Sequence, residues 1–137
     1  MTDDRTNEGL RHRRWVVATC IALVLAAVGD AGPEIIESRS LVAGYDGPGP
    51  LIYLGVAVVV ATVRWRFAPL LAVAMSVFFL FGGFADADFV DRLTTPMGVQ
   101  SVAGWLQMAA FAAAVVCGTA AVLRRRAGST SNTTSQR

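Results

Sequence analysis

Four charge-free apolar runs divide this chain, and their length limits its fold more than any other feature. They are Trp15–Gly29 (WVVATCIALVLAAVG), Pro48–Val63 (PGPLIYLGVAVVVATV), Phe67–Ala85 (FAPLLAVAMSVFFLFGGFA) and Trp105–Leu123 (WLQMAAFAAAVVCGTAAVL), the last extending back toward Gly98. Crossing a hydrocarbon core of about 30 Å takes a helix of about 20 residues, with a range of about 17–25. Runs three and four meet that length directly. Runs one and two are shorter and must borrow flanking residues or sit where the bilayer thins. None alternates apolar and polar residues as a barrel strand does. With 16% of 137 residues charged, against about 25% in soluble domains, the composition agrees with a membrane protein. The net charge of +2 gives no reason to expect a nucleic-acid partner.

The expected architecture is all-α: an integral membrane four-helix transmembrane bundle over residues 15–123. Its spans are about 15–30, 48–63, 67–85 and 102–123, and its outer connections are 31–47 and 86–101. Residues 1–14 form a basic arm and 124–137 a Ser/Thr/Asn-rich tail. Both lack the apolar residues needed for a core, so mobility is expected there.

Arginine sets the orientation. All twelve basic residues are arginine, and ten of them fall on one side of four spans: Arg5, Arg11, Arg13, Arg14, Arg64, Arg66, Arg124, Arg125, Arg126 and Arg137. Short arginine-bearing segments stay cytoplasmic. The chain therefore reads as a multi-pass cell-membrane protein with both termini inside. Seven of its ten acids lie at the outer side: six in the outer connections and Asp30 at the outer end of the first span. Trp15 and Trp65 fall at the inner boundary, and Tyr45, Tyr53 and Trp105 at the outer one, as interfacial aromatics do. Arg13, Arg14, Arg64, Arg66, Arg124, Arg125 and Arg126 are placed to meet anionic lipid headgroups. The segment RHRRWVVATCIALVLAAVGDA also has the layout of a signal peptide. Retention is the expectation, because Asp30 and Pro33 are poor neighbours for cleavage near Gly29 and Ala31.

The two outer connections share a phrase: EIIESR (34–39) and DFVDR (88–92) both read acid, two apolar residues, acid, arginine. SLVAG (40–44) and SVAG (101–104) follow at unequal distances. A parallel repeat of two hairpins would produce this pattern; so would two unrelated loops.

The acids are the residues most able to carry chemistry. On a continuous helix Asp30, Glu34 and Glu37 would share a face, but Gly32 and Pro33 favour a kinked interfacial turn. Measured from Trp15, Asp30 sits about 22 Å up at about 1.5 Å per residue, still within the core. With Asp86, Asp88 and Asp91 these residues form a candidate cation or proton site, since clustered oxygens suit hard cations. The plainer reading, and the one preferred, is solvated acids at the edge of the membrane, partly paired with Arg39 and Arg92. No calcium-loop spacing is present, and neither a metal site nor a cofactor is expected.

Gln100, Ser101 and Gln107 are candidates for a polar path, or for hydrogen bonds between helices. Small residues recur every fourth position as Ala18, Ala22, Ala26; Ala68, Ala72, Ser76; and Ala110, Ala114, Gly118, a spacing that lets helices approach closely in lipid. Cys20 and Cys117 are read as buried small side chains, and the phenylalanines of run three as facing lipid or filling gaps. No nucleophile or acid–base constellation marks an enzyme. The leading expectation is a non-catalytic accessory or scaffold protein that packs with itself or a membrane-protein partner among lipids. The alternative is an oligomeric small transporter or ion-conducting subunit that uses Asp30 and the outer acids.

Overall fold

The structure, a computed structural model, describes residues 3–40, 42, 48–63, 67–94 and 98–134. It is all-helical, with five helices among the described residues: α1 (Asp3–Ser38), α2 (Pro48–Thr62), α3 (Ala68–Ala85), α4 (Ala87–Thr94) and α5 (Val99–Thr134). Three helical segments are long and apolar enough to cross a membrane: Gly9–Ser38, Ala68–Ala85 and Val99–Arg124. The shorter apolar helix Pro48–Thr62, with 15 residues, is about 22 Å long at about 1.5 Å per residue.

α1 and α5 run antiparallel and touch along their whole apolar lengths. The Arg124 guanidinium lies 5.4 Å from the Trp15 ring centre. A Cβ added at Gly118 would come within 3.9 Å of Thr19. Near the other end, a Cβ on Gly29 would stand 2.9 Å from the Ala103 carbonyl oxygen and 3.1 Å from the Gln107 backbone nitrogen. Finally, the Gln100 amide donates to Glu37 at 2.9 Å. α2 runs antiparallel to α1: the Cys20 thiol donates to the Ala57 carbonyl at 3.6 Å, and Gly49 lies against the Asp30 carboxylate. α3 is antiparallel to α5, with Val73 and Pro69 at Gly118 and Gly83 against Met108.

The interior is made of small residues. Among the described residues, ten of the sixteen buried apolar ones are alanine, so the helix axes can come close and dispersion contacts accumulate between backbones. The tracks read from the sequence point inward: Ala22, Ala26, Ala68, Ala72, Ser76, Ala110, Ala114 and Gly118 are buried, and Ala18 is half-buried. The large apolar residues largely point the other way. Ile21, Val24, Leu25 and Val28 on α1, Phe78, Phe81 and Phe84 on α3, and Val116 and Leu123 on α5 are exposed. So large an exposed apolar area is rare on a soluble monomer, and lipid is the solvent that suits it. Cys20 and Cys117 are half-buried free thiols.

Two regions differ from the sequence expectation. α1 continues as helix through Gly32 and Pro33 to Ser38, where a kinked turn was expected. Pro33 removes only the donor that would bond to the Gly29 carbonyl, and the packing of α1 on α5 holds the segment on both sides of that gap. The helix ends at Arg39, which has a left-handed φ of 52°. In addition, α1 begins at Asp3 and α5 reaches Thr134, so parts of both polar ends are helical extensions of the apolar segments.

The connection after α3 contains a helix of its own. Asp86 leaves α3 in an extended conformation, its N–H donating to the carbonyls of Gly82 and Gly83. Its Oδ1 then accepts from the backbone N–H groups of Asp88 at 3.0 Å and Phe89 at 3.3 Å. Those are the second and third residues of α4, the geometry of an N-cap. Leu93 of α4 is seated over Gly104. Its carbonyl accepts from Ser101 Oγ at 3.3 Å and Trp105 Nε1 at 3.4 Å.

The close contact at Gly29 yields a paired test. Gly29→Ala puts a methyl group against backbone atoms that cannot rotate away, and should destabilise the fold by about 1–3 kcal/mol, the usual cost of overpacking. Gly55, which has open space where its Cβ would be, should accept alanine with no loss and a gain of up to about 1 kcal/mol in helix propensity. Denaturant unfolding in mild detergent measures both.

Candidate functional site

Thr19 and Ser76 are buried elsewhere in the bundle, but a group of polar side chains, Asp30, Tyr53 and Gln107 among them, gathers at the end of the molecule away from Arg13, Arg14 and Arg124. A cleft of about 340 Å³ opens there between α1, α4 and α5. α1 supplies Gly29, Asp30, Pro33, Glu34 and Glu37; α4 supplies Phe89, Arg92 and Leu93; α5 supplies Gln100, Gly104 and Gln107. Because α1 stays helical past Pro33, its three acids share the face turned to this cleft. The lining carries three acids against one arginine, so the cleft is net negative.

Asp30 sits deepest of the three acids. Its half-buried carboxylate accepts hydrogen bonds from the Tyr53 hydroxyl and the Gln107 amide, and it feels repulsion from Glu34 and attraction from Arg92. Gln107 also bonds to Tyr53, which closes a three-membered polar network linking α1, α2 and α5. Tyr53 is 2% exposed and Gln107 7%. Gly49, in the first turn of α2, presses directly on the carboxylate. There the partial positive charge of the helix N-terminus favours an anion, and a side chain at residue 49 would push Asp30 away.

An aromatic cluster fixes the network from below. The Tyr53 ring meets Phe79 edge-on at 4.9 Å and Phe111 edge-on at 5.1 Å, and Phe79 stacks on Phe111 at 5.8 Å. The Tyr53 ring therefore faces the interior of the bundle rather than its outer surface. The ring is core, and its hydroxyl avoids being an unsatisfied buried donor by bonding to Asp30. The other phenylalanines of run three, Phe78, Phe81 and Phe84, are exposed.

The structure thus separates the residues proposed from sequence. Asp30, Glu34, Glu37, Gln100 and Gln107 come together in one cleft, whereas Asp86, Asp88 and Asp91 do not line it. Asp86 is a helix cap, and Asp88 and Asp91 lie on the exposed side of α4. Ser101 donates to the Leu93 carbonyl of α4, a hydrogen bond between helices. Among the described residues, no three His, Cys, Asp or Glu side chains are grouped to hold a metal ion. Arg92 does face Asp30, as the pairing idea required. Arg13 and Arg14 are exposed near the start of α1. Arg64, Arg66, Trp65, Tyr45 and Asp46 lie outside the described residues, as do the side chains of Arg125 and Arg126.

Tyr53 is the polar member that the sequence reading did not bring to the site, whereas Arg92 was expected there as a partial partner of the acids. Tyr53 gave a faint signal, as the polar-tipped ring within the second run. Comparison with protein-family models, curated proteins and solved structures found no match to this chain.

Removing the Asp30 side chain strands two buried polar groups. Asp30→Ala should lower stability by about 1–3 kcal/mol, the cost of unsatisfied buried donors. Glu37→Gln, on the exposed rim, should stay within about 0.5 kcal/mol of the parent. Equal effects in detergent unfolding would return Asp30 to the role of a hydrated boundary residue.

Proposed function

We propose that this chain is a small, non-catalytic integral membrane protein of four spans, with α2 as the short one, acting as an accessory or scaffold through helix packing with itself or a membrane partner. The observation that carries this reading is the inverted distribution of side-chain size. Alanines fill the interior, while large aliphatic and aromatic residues cover the outside. Such a surface is built to be covered by lipid or by other helices. The polar groups of the cleft are largely engaged with one another, Asp30 with Tyr53 and Gln107 and Glu37 with Gln100. Satisfied networks of this kind hold helices in register.

In this reading the arginine-rich end faces the cytoplasm of the cell membrane, with both termini inside, and the cleft faces out. Continuous helix across Gly29–Ala31, packed on α5, supports keeping the first span as part of the bundle. The possible two-hairpin repeat is a proposal about ancestry that rests on the acid–arginine phrases alone.

One observation favours a second reading, an oligomeric transporter or ion-conducting subunit. A carboxylate embedded in a membrane span is a functional candidate by default, and Asp30 lies at the floor of a net-negative cleft.

Topology is tested by cysteine labelling in a background free of Cys20 and Cys117. A cysteine at Asp88 should react with a membrane-impermeant reagent on intact cells, and one at Asn7 only after permeabilisation. Labelling of position 7 from outside would reject this orientation. The second reading is tested in reconstituted vesicles. Under the accessory role, Asp30→Asn leaves proton or cation flux at the level of empty vesicles, as does the parent. Flux in the parent that Asp30→Asn abolishes and Glu37→Gln spares would establish transport.

A further inference from the structure

A second concavity lies toward the arginine-rich end of the molecule, on the outer surface of α1 and α2. Its volume is about 470 Å³, and its lining is apolar except at one end: Val17, Cys20, Ile21, Leu25 and their neighbours on α1, Ala61 on α2, and Arg13 at the mouth. On the α2 side the groove is lined by the methyl group of Ala61, the residue before the helix ends at Thr62. We propose that this groove holds one acyl chain of an anionic phospholipid, with Arg13 on its phosphate. The inference rests on the membrane reading above and adds a defined lipid site to it.

Dimensions and charge both fit that occupant. From Arg13 to Leu25 the groove follows α1 for about 18 Å at about 1.5 Å per residue. One leaflet contributes half of a hydrocarbon core of about 30 Å, so the groove runs from the headgroup level to the midplane. Val17, Ile21, Val24 and Leu25 are all more than 40% exposed along it, an apolar wall that a chain would cover. The mouth is cationic. Arg13 lines it, Arg11 and Arg14 lie on the same turn of α1, and the sequence has no acid between Gly9 and Gly29. A guanidinium forms paired hydrogen bonds to phosphate, which makes an anionic headgroup the matching one. An uncharged partner helix would cover the apolar wall but offer Arg13 no counter-charge.

Native mass spectrometry of the purified full chain, titrated with phosphatidylglycerol and phosphatidylcholine of identical chains, tests the site. One phosphatidylglycerol should be retained per chain with about fivefold preference, equivalent to about 1 kcal/mol for a basic residue near an anionic surface. Arg13→Gln should erase the preference. Ala61→Phe should reduce retention of both lipids by filling the groove. Ile21→Trp repeats that blockade from an exposed position, where it cannot disturb the core, and Phe81→Leu on α3 should change nothing. Equal retention of the two lipids by the parent, or full retention by both blocking variants, would overturn the proposal. So would cross-linking of an Ile21→Cys variant to a second copy in lipid, because the groove would then be a self-association surface. Alkaline carbonate extraction separates this from the parent reading: a chain released by carbonate is not integral, whereas a carbonate-resistant chain without lipid preference loses only the groove.

Discussion

The antiparallel contact between α1 and α5 is the constraint on which the other helices depend. It runs from Trp15 beneath Arg124, through Gly118 near Thr19 and Gly29 against Ala103, to Glu37 with Gln100. In lipid, no hydrophobic force drives two apolar helices together, so contact must come from close backbone approach and from polar bonds. The glycines and alanines supply the first. α2 then attaches through Cys20, Tyr53 and Gly49, α3 through Gly118 and Gly83, and α4 through Gly104. Each attachment uses a small residue on one of the two long helices or on its partner. A bulky substitution at Gly29 therefore threatens more than one interface, whereas one at Gly55 touches none.

The second constraint is electrostatic. A charge placed among packed helices is tolerated where its hydration is replaced in full. Asp30 has two side-chain donors, a helix N-terminus against it and Arg92 nearby. The donors come from α2 and α5, so replacing the water shell and joining three helices are the same event. Tyr53 is central to this because its ring is clamped by Phe79 and Phe111 while its hydroxyl points at the carboxylate. Register among α1, α2 and α5 follows from that one residue: a slip of one helical turn would remove both the aromatic contact and the bond to Asp30.

The apolar runs and the inward face of the small-residue tracks were legible in the sequence, because length and fourfold spacing are local properties. The site was only partly legible. Asp30, Glu34, Glu37, Gln100 and Gln107 could be named, since polar residues beside apolar runs stand out. Their convergence could not, because it depends on α1 remaining helical past Pro33 and on the register between α1 and α5, which no local spacing encodes. The part Tyr53 plays in the site was hidden for the same reason: its partners, 23 residues before it and 54 after it in sequence, meet only in the folded chain. α4 was missed although a signal was present. Asp86 followed by Phe89, Val90 and Leu93 is an N-cap ahead of an amphipathic turn, hidden by reading 86–101 only as a connection.

The same network also defines what Asp30 would have to do if it moved ions. A carrier carboxylate must exchange its partners during a cycle, binding its cargo in one state and releasing it in another. Here the Tyr53 hydroxyl cannot swing away, since the ring is held on two sides by phenylalanines. Gln107 cannot retreat either, because its backbone sits at the tight contact with Gly29. Side-chain motion alone therefore leaves the carboxylate bound as it is. Freeing it requires α1 to shift against α5, which would break the close approach of Gly29 to the α5 backbone and open the cleft toward the centre of the bundle. Helix displacement of that kind is how transporters built from packed spans alternate access. An accessory role needs no such movement: there the network does its work by staying closed. Transport and scaffolding thus differ in whether the Gly29 contact opens, and the packing of Tyr53 between Phe79 and Phe111 is part of what that opening would have to break.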